Sequence, residues 1–132
     1  MEFHRIQHVS IPRPPGSDEE ARAFYGEVLG LEEVPPPQSL HEQDLIWYRV
    51  GDLELHIFAE DPVQDSSGRH FCLEVDDVEV VRARLAQAGY SPKSAVPIPT
   101  RPRFFCQDPF GNRIEFTTIL GDYREVEVQQ TA

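Results

Sequence analysis

The sequence predicts an α+β fold made of two tandem modules, each with one strand, one helix and then three strands. Three observations favour it. The order of alternating and helical patterns repeats in the second half of the chain, corresponding spacings in the two halves differ by the same three residues, and each half ends in two apolar runs joined by a turn. Because 132 residues suit one compact domain, we expect a single domain over 1–132, with modules at 3–59 and 68–119 and a tail at 120–132.

The first strand and the first helix are predicted over residues 3–31. The stretch FHRIQHVSI alternates as a strand does, and PRPPGS breaks the pattern. The stretch SDEEARAFYGEVLG then has helical spacing, with Ser17 and Glu20 as a capping box and Gly30 as a stop signal.

The rest of the first module reads as three strands. LEEVPPP allows only a short extended piece, because its three prolines remove three ladder donors. DLIWYRV and DLELHIFAE flank Gly51 and Asp52, which is typical of a β-hairpin.

The second module repeats this order. RHFCLEV predicts a strand, and DDVEVVRARLAQAG predicts a helix capped by Asp76 or Asp77 and ended by Gly89. YSPKSAVPI is a weak strand marked by prolines, and RFFCQ and NRIEFTTI flank the turn DPFG as a hairpin. The C-terminal GDYREVEVQQTA alternates weakly, which indicates an edge strand or a frayed end.

The repeat places four potential metal ligands in equivalent positions. From the first-strand histidine to the glycine that ends the helix is 22 residues in the first half and 19 in the second, and from that histidine to a polar residue of the last strand is 48 and 45. One insertion of three residues, within PRPPG, accounts for both differences. The repeat therefore equates His8 with His70 and His56 with Glu115, and pseudo-twofold packing of the halves would let all four converge.

Charge and composition exclude several classes of function. The formal net charge of −11 opposes non-specific binding to nucleic acid or to anionic lipid. The sequence shows neither a signal peptide nor an apolar run long enough to span a bilayer, so we expect a cytoplasmic protein without membrane partners. Cys72 and Cys106 lack the CxxC spacing of zinc and redox motifs and are expected to be reduced, mostly buried thiols.

The stretches HVSI, ARAFYGEVLGLEEV, LELHIF, HFCLEVDD and DPFGNRIEF together resemble the vicinal oxygen chelate superfamily, over residues 3–119. That superfamily includes glyoxalase I, extradiol dioxygenases, fosfomycin-resistance thiol transferases and bleomycin-binding proteins. The resemblance implies that paired βαβββ modules form a curved, cup-like mixed sheet with the helices outside. It also implies a homodimer and a divalent metal ion, for which iron, manganese, zinc, nickel and cobalt are all suitable.

Carried over by position, the resemblance assigns His8, His70 and Glu115 as metal ligands and His56 as the more variable fourth. Glu54 lies on the same face as His56 and is an alternative to it. The ligands can come from one chain or from two chains of a dimer. A metal held in this way acts as a Lewis acid on adjacent substrate oxygens, and Glu115 or His56 could leave it to move a proton as a catalytic group.

Other residues are candidates for binding the substrate. Ser10 and Cys72 follow two residues after His8 and His70 and could line the cavity, although packing is favoured for Cys72. Trp47 and Phe105 lie on strands of the predicted cup wall, where a hydrophobic pocket and core filling are equally supported.

The arginines near the last hairpin are candidates for holding an anion. Arg103 precedes the hairpin and Arg113 shares a face with Glu115, and an arginine near a metal can bind an anionic substrate with two parallel hydrogen bonds. A solvent-exposed charge is equally supported for Arg103 and is favoured for Arg101. His4 is interpreted as a surface residue, and His41 lies in a polar loop and carries no signal for function.

Two classes of function follow. The first is a metal-dependent enzyme acting on a small oxygenated substrate chelated through adjacent oxygens, with lyase or isomerase, thiol transferase and dioxygenase chemistry unresolved. The second is a non-catalytic protein that binds a drug or metabolite, as bleomycin-binding members do. A stoichiometric metal ion favours the enzyme, and a dry apolar groove favours the binding protein.

Overall fold

A computed structural model describes residues 1–61 and 68–131 of the chain. The chain divides into two compact units, Met1–Asp65 and Ser66–Ala132. No helix in the described parts of the chain is long and apolar enough to cross a membrane.

The first unit contains a four-stranded mixed sheet. Its strand order is β1-β4-β3-β2, in which β1 runs parallel to β4 and the other neighbours are antiparallel. Helix α1 continues directly into a π-helical segment, and a short 3₁₀ turn precedes β3. The elements are β1 (His8–Arg13), α1 (Asp18–Ala21), the π-helical segment (Arg22–Val28), β2 (Glu32–Val34), the 3₁₀ turn (Gln38–Leu40), β3 (Leu45–Val50) and β4 (Leu53–Ala59).

The second unit repeats this topology. Its sheet has the order β5-β8-β7-β6, again with one parallel pair, β5 with β8, and two antiparallel pairs. Two mixed four-stranded sheets with few helices confirm the predicted α+β fold class. The elements are β5 (His70–Glu74), α2 (Val78–Gln87), β6 (Lys93–Ser94), β7 (Arg103–Gln107), β8 (Arg113–Thr117) and α3 (Tyr123–Thr131).

The register of the two sheets is the same at the positions that the repeat equates. In each sheet the last strand carries a candidate ligand whose neighbours on both sides are candidate substrate contacts. The rows are Ser10, His56 and Trp47 in the first unit and Cys72, Glu115 and Phe105 in the second. Because one side-chain row corresponds strand by strand to the other, the repeat extends to individual residues.

Each sheet has one apolar face and one polar face. In β8 the side chains of Ile114 and Phe116 are buried, while Arg113 and Glu115 alternate with them and are only half-buried. The same alternation places Ile46 and Tyr48 of β3 in the core and leaves Trp47 half-buried. The period of two in a strand therefore separates the packing residues from the chemically useful ones.

Two predicted boundaries in the first unit differ from the structure. The first strand begins at His8, not at residue 3, and it continues through Pro12 to Arg13. A proline is tolerated there because β1 is an edge strand of this sheet. The predicted capping box is wrong, because Ser17 makes no cap hydrogen bond and its hydroxyl donates to the carbonyl of Pro14 instead.

Two predictions for the second unit are also wrong. The weakly alternating C-terminal segment forms helix α3 and not an edge strand. Cys72 is exposed, whereas Cys106 is buried as predicted. Cys72 occupies the polar face of β5, where alternation overrides the usual burial of cysteine.

Candidate functional site

The two candidate ligands of the first unit are in contact. His8 lies at the start of β1, and its ring stacks on that of His56 from β4 with 4.1 Å between ring centroids. Trp47 of β3 stacks on the other side of His56 at 3.6 Å, with the ring planes only 5° apart. The three rings form a ladder across three neighbouring strands, and His56 is the buried middle rung.

Hydrogen bonds orient both histidines of this ladder. The Nδ1 atom of His8 lies 2.7 Å from the amide oxygen of Gln7, and Nε2 of His56 lies 2.9 Å from a carboxylate oxygen of Glu54. The hydrogen bond from His56 is the main cause that lowers the pKa of Glu54, and one from Gln7 adds to it. Glu54 and His56, the two alternatives for the fourth ligand, are thus hydrogen-bonded to each other and lie side by side.

An open cavity of about 640 Å³ adjoins this ladder. Ser10, Trp47 and His56 line it on the sheet, as do Leu45 and Phe58. The walls combine flat rings with apolar side chains, a composition that suits a small organic ligand.

The two candidate ligands of the second unit are also in contact. Nε2 of His70 in β5 lies 3.1 Å from Oε1 of Glu115 in β8, and the other carboxylate oxygen accepts a hydrogen bond from Arg103 at 3.3 Å. Arg103 is itself fixed, because two of its nitrogens donate to the carbonyl of Val96. The position of the Glu115 carboxylate is therefore determined from two sides.

The tautomer of His70 gives this pair chemical significance. Its Nδ1 atom lies 2.9 Å from the carbonyl oxygen of Gly68, which can only accept a hydrogen bond, so Nδ1 carries a proton. In a neutral imidazole the Nε2 atom then has a lone pair directed at the Glu115 oxygen. Two lone pairs at 3.1 Å repel unless the ring is protonated or one cation binds both atoms.

Cys72 is a neutral thiol beside this pair. Desolvation raises its pKa to about 11, and the charge of Glu115 and a hydrogen bond with it add to the rise. Because the thiolate is the reactive form, Cys72 has little nucleophilic character at neutral pH. Its position supports a role in lining the polar face instead.

Two arginines and His70 surround the ring of Phe105 on the same face. The guanidinium carbon of Arg113 lies 3.9 Å from its ring centroid, Arg103 lies at 5.5 Å, and the His70 ring meets its edge at 5.1 Å. A cavity of about 720 Å³ adjoins Phe105 and Arg113 and extends to Lys93 on β6.

The donor chemistry fits a divalent transition metal. Imidazole nitrogens and a carboxylate oxygen are ligands that zinc, manganese, iron and nickel accept, and two ligands held about 2.1 Å from one ion at a right angle lie about 3 Å apart. The separation of 3.1 Å between His70 and Glu115 is close to that value, and it is also an ordinary hydrogen-bond distance. Within residues 1–61 and 68–131, no group of three or more His, Cys, Asp or Glu side chains is arranged to hold a metal ion, so each unit provides a pair.

The remaining sequence predictions concern exposure. His4 is exposed as expected, and His41 of the polar loop is also exposed. Arg101 is half-buried and lies over the ring of Tyr123 at 4.9 Å, so its interpretation as solvent-facing is wrong. Sequence reasoning did not single out Gln7 or Lys93; in the structure Gln7 directly precedes β1, and Lys93 lies in a strand of two residues.

The profile of the Glyoxalase/Bleomycin resistance protein/Dioxygenase superfamily matches residues 5–116. The chain belongs to this superfamily. Membership agrees with the resemblance inferred from the sequence, and the superfamily contains both enzymes and antibiotic-binding proteins. A comparison with curated proteins found no match.

Solved structures extend the comparison. A protein from Bacillus anthracis described as of the glyoxalase family is 35% identical, with a TM-score of 0.85 over 90% of this chain and 98% of that one. The fosfomycin resistance protein FosX from Listeria monocytogenes is 14% identical, with a TM-score of 0.75 over 94% and 98%. TnmS3, an antibiotic binding protein from Streptomyces sp. CB03234, is 24% identical, with a TM-score of 0.72 over 90% and 98%. At such identities the last two show the shared fold alone.

Proposed function

We propose that this member of the superfamily is a divalent-metal-dependent enzyme acting on a small substrate that presents adjacent oxygen atoms. The proposed ligands are His8, His70 and Glu115, with His56 as the fourth. Bound there, the ion would act as a Lewis acid on the substrate oxygens. Lyase, thiol transferase and dioxygenase chemistry are distinguished by which substrate is turned over.

The contact between His70 and Glu115 is the observation that carries this proposal. The carbonyl of Gly68 fixes the proton of His70 on Nδ1, and Arg103 fixes one carboxylate oxygen of Glu115. Nε2 of His70 and the other oxygen of Glu115 therefore face each other as two electron-pair donors that could bind one cation. Metal-binding histidines in proteins have this arrangement, with the second ring nitrogen donating to a backbone carbonyl or a carboxylate. The pair is thus oriented before any ion arrives.

The chain's own side chains would supply the remaining functions. Glu115 can accept a proton from a substrate carbon or hydroxyl, because it is the half-buried carboxylate of the polar face. His56, held by Glu54 and stacked between two rings, can donate or accept a proton at Nε2. Ser10, Trp47, Cys72 and Phe105 would contact the substrate, while Arg103 would mainly orient Glu115.

Metal analysis of protein purified without added metal or chelator is the direct test. We expect about one ion per chain, and after its removal a titration with Mn²⁺, Ni²⁺ or Zn²⁺ should restore binding. His70→Ala and Glu115→Gln should each weaken binding by 10-fold to 100-fold or more, because each removes a ligand. With the identified ion, glutathione hemithioacetals, catechols and fosfomycin form the first substrate screen.

Matched controls sharpen this test. His4→Ala removes an exposed histidine of the same chain, and Glu74→Gln removes an exposed carboxylate on the same face of β5 as His70. Both should bind metal as the unchanged protein does. Equal affinity in the His70→Ala variant and its parent would contradict the ligand assignment.

The second candidate is a protein that binds a drug or metabolite without catalysis. The ring ladder of His8, His56 and Trp47 beside its cavity favours it, because stacked rings bind flat ligands without a metal. Protein that contains no stoichiometric ion, but binds planar compounds with quenching of Trp47 fluorescence, would support this candidate over the enzyme.

A further inference from the structure

We propose that the ligand of this protein carries an oxyanion group and that Arg113 and Lys93 bind this group at the face of Phe105. The inference deepens the proposed function, on which it rests for the location of the substrate, by naming the substrate class as an anionic small molecule. Carboxylate and phosphate or phosphonate groups share the required chemistry, a compact set of negatively charged acceptor oxygens.

Arg113 is arranged to present its hydrogen-bond donors. Its guanidinium carbon lies 3.9 Å from the centroid of Phe105, so the cation packs on the aromatic ring. A guanidinium that stacks through its flat face keeps the N–H groups at its edge available for two parallel hydrogen bonds to an oxyanion. Among residues 1–61 and 68–131, Arg113 forms no ion pair and no side-chain hydrogen bond.

Lys93 supplies a second cation on the same face. Its Cα is the strand partner of Phe105, and both Lys93 and Arg113 line the cavity of about 720 Å³. Lys93 is exposed, and no carboxylate of the described residues pairs with it. Two cations without a carboxylate partner among the described residues thus line one cavity, in a chain whose net charge is −11.

The neighbouring charged groups are already engaged. Arg103 donates to Val96 and Glu115, so it is a poorer candidate for the anion than Arg113. Asp108 also lines the cavity, but its carboxylate is buried and accepts hydrogen bonds from the backbone N–H groups of Phe110 and Asn112 and from the Asn112 amide. Its charge is therefore directed into the turn, away from a ligand.

NMR titrations of the metal-free full chain test this inference. Methylphosphonate and acetate are the probes, with acetamide as the neutral control, and the readout is the backbone amide shifts of residues 89–94 and 105–113. We expect either anion to bind saturably and to weaken as NaCl is added, and acetamide to cause no saturable shift. The ratio of the two dissociation constants identifies phosphonate or carboxylate as the preferred source.

Variants assign the binding to the two cations. Arg113→Gln should raise the dissociation constant about tenfold and Lys93→Gln about threefold, because each removes one charged donor. Arg113→Lys should recover part of the loss, which also guards against misfolding of the Gln variant. Arg124→Gln, on the exposed side of α3, changes the net charge equally and should leave the titration unchanged.

Three results would overturn the inference: wild-type affinity in Arg113→Gln, equal shifts with acetamide, or equal weakening by Arg124→Gln. Because these titrations use metal-free protein, they test anion binding even if the protein proves to bind no metal ion. Retained anion binding in the His70→Ala variant would show that the anion site does not depend on the proposed metal ligand.

Discussion

Buried polar side chains mark the first unit at the residue scale. The side chain of Arg13 is fully buried, on the core face of β1, and it pairs with the half-exposed carboxylates of Asp18 and Asp44. These pairs connect the edge strand to the start of the helix and to the loop before β3. Because burial removes the Arg13 guanidinium from water, the cost of its desolvation offsets much of its attraction to the two carboxylates.

Tyr48 allows a test of how burial in the same core affects an ionisable side chain. Its side chain is 1% exposed, its hydroxyl has no hydrogen-bond partner among the described residues, and burial raises its pKa to about 12 from the ordinary 10.0. Because the folded-state pKa is raised, titration of this group does not change the free energy of unfolding below pH 10, and it lowers that free energy as the pH rises from 10 toward 12. Each unit of pKa difference corresponds to about 1.4 kcal/mol of the free energy of unfolding.

We therefore expect Tyr48→Phe to flatten the loss of stability between pH 10 and pH 12, measured by urea unfolding. Near pH 7 the free energy of unfolding should be unchanged or higher by up to about 1 kcal/mol, because the variant removes an unsatisfied hydroxyl. Tyr123→Phe, at a half-exposed position, is the control. A loss of several kcal/mol at pH 7 would show that the Tyr48 hydroxyl has a partner after all.

At the element scale, helix α2 has a well-defined N-terminus. Asp77 adopts extended backbone angles and its carboxylate accepts a hydrogen bond from the N–H of Glu79 at 2.9 Å. The sequence allowed either Asp76 or Asp77 as the cap, and the structure selects Asp77. Gly89, with φ of 92°, ends the same helix as predicted.

Asp77→Ala should lower the free energy of unfolding by about 1 kcal/mol, because it leaves an N–H of the first turn without its acceptor. Asp76→Ala removes the same charge from an exposed neighbouring position and should change stability by less than about half that amount. Chemical denaturation of the two variants in parallel makes the comparison. Equal losses would point to net charge, and not to the cap, as the cause.

The elements also show what the sequence could predict. Positions governed by local backbone rules were predicted correctly, including the left-handed glycines Gly30, Gly51 and Gly89 and the hairpins. Alternation failed at the C-terminus, where it rests on Val126 and Val128 alone, whereas Tyr123 and Val126 have the i, i+3 spacing of a helix. The capping box is absent because the Ser17 hydroxyl accepts no cap hydrogen bond and instead donates to the carbonyl of Pro14.

The candidate site was predictable only in part. Repeat arithmetic identified His8, His56, His70 and Glu115, because a conserved strand register needs only residue counting. The proton position on His70 and the two donors on Arg103 depend on the carbonyls of Gly68 and Val96, whose directions follow from the folded backbone. Sequence periodicity contains no such information.

At the scale of the whole molecule, metal binding should be linked to stability. An ion that binds only the folded chain adds about 2.7 kcal/mol at a concentration 100 times its dissociation constant. For a chain of 132 residues this corresponds to a rise of roughly 10 °C in the melting temperature. Calorimetry of metal-free protein with and without the ion measures it.

The same scan distinguishes ligand binding from a general ionic effect. Glu115→Gln should lose most of the metal-dependent rise, and His4→Ala should keep it. Because the net charge is −11, divalent ions also screen repulsion across the whole surface, so NaCl of matched ionic strength is needed as a reference. A rise that NaCl reproduces in full would contradict specific binding.

The alternation along β8 also limits how this protein can change over evolutionary time. Deleting or inserting a single residue between Arg113 and Thr117 would exchange the two faces of part of the strand. Glu115 would then point into the packed core and Ile114 toward the polar face. Chemistry on this face can therefore diversify only by point substitution. Changes in length have to be confined to the connecting loops. Relatives with new activities should therefore differ in the residues of β8 but not in the length of this strand.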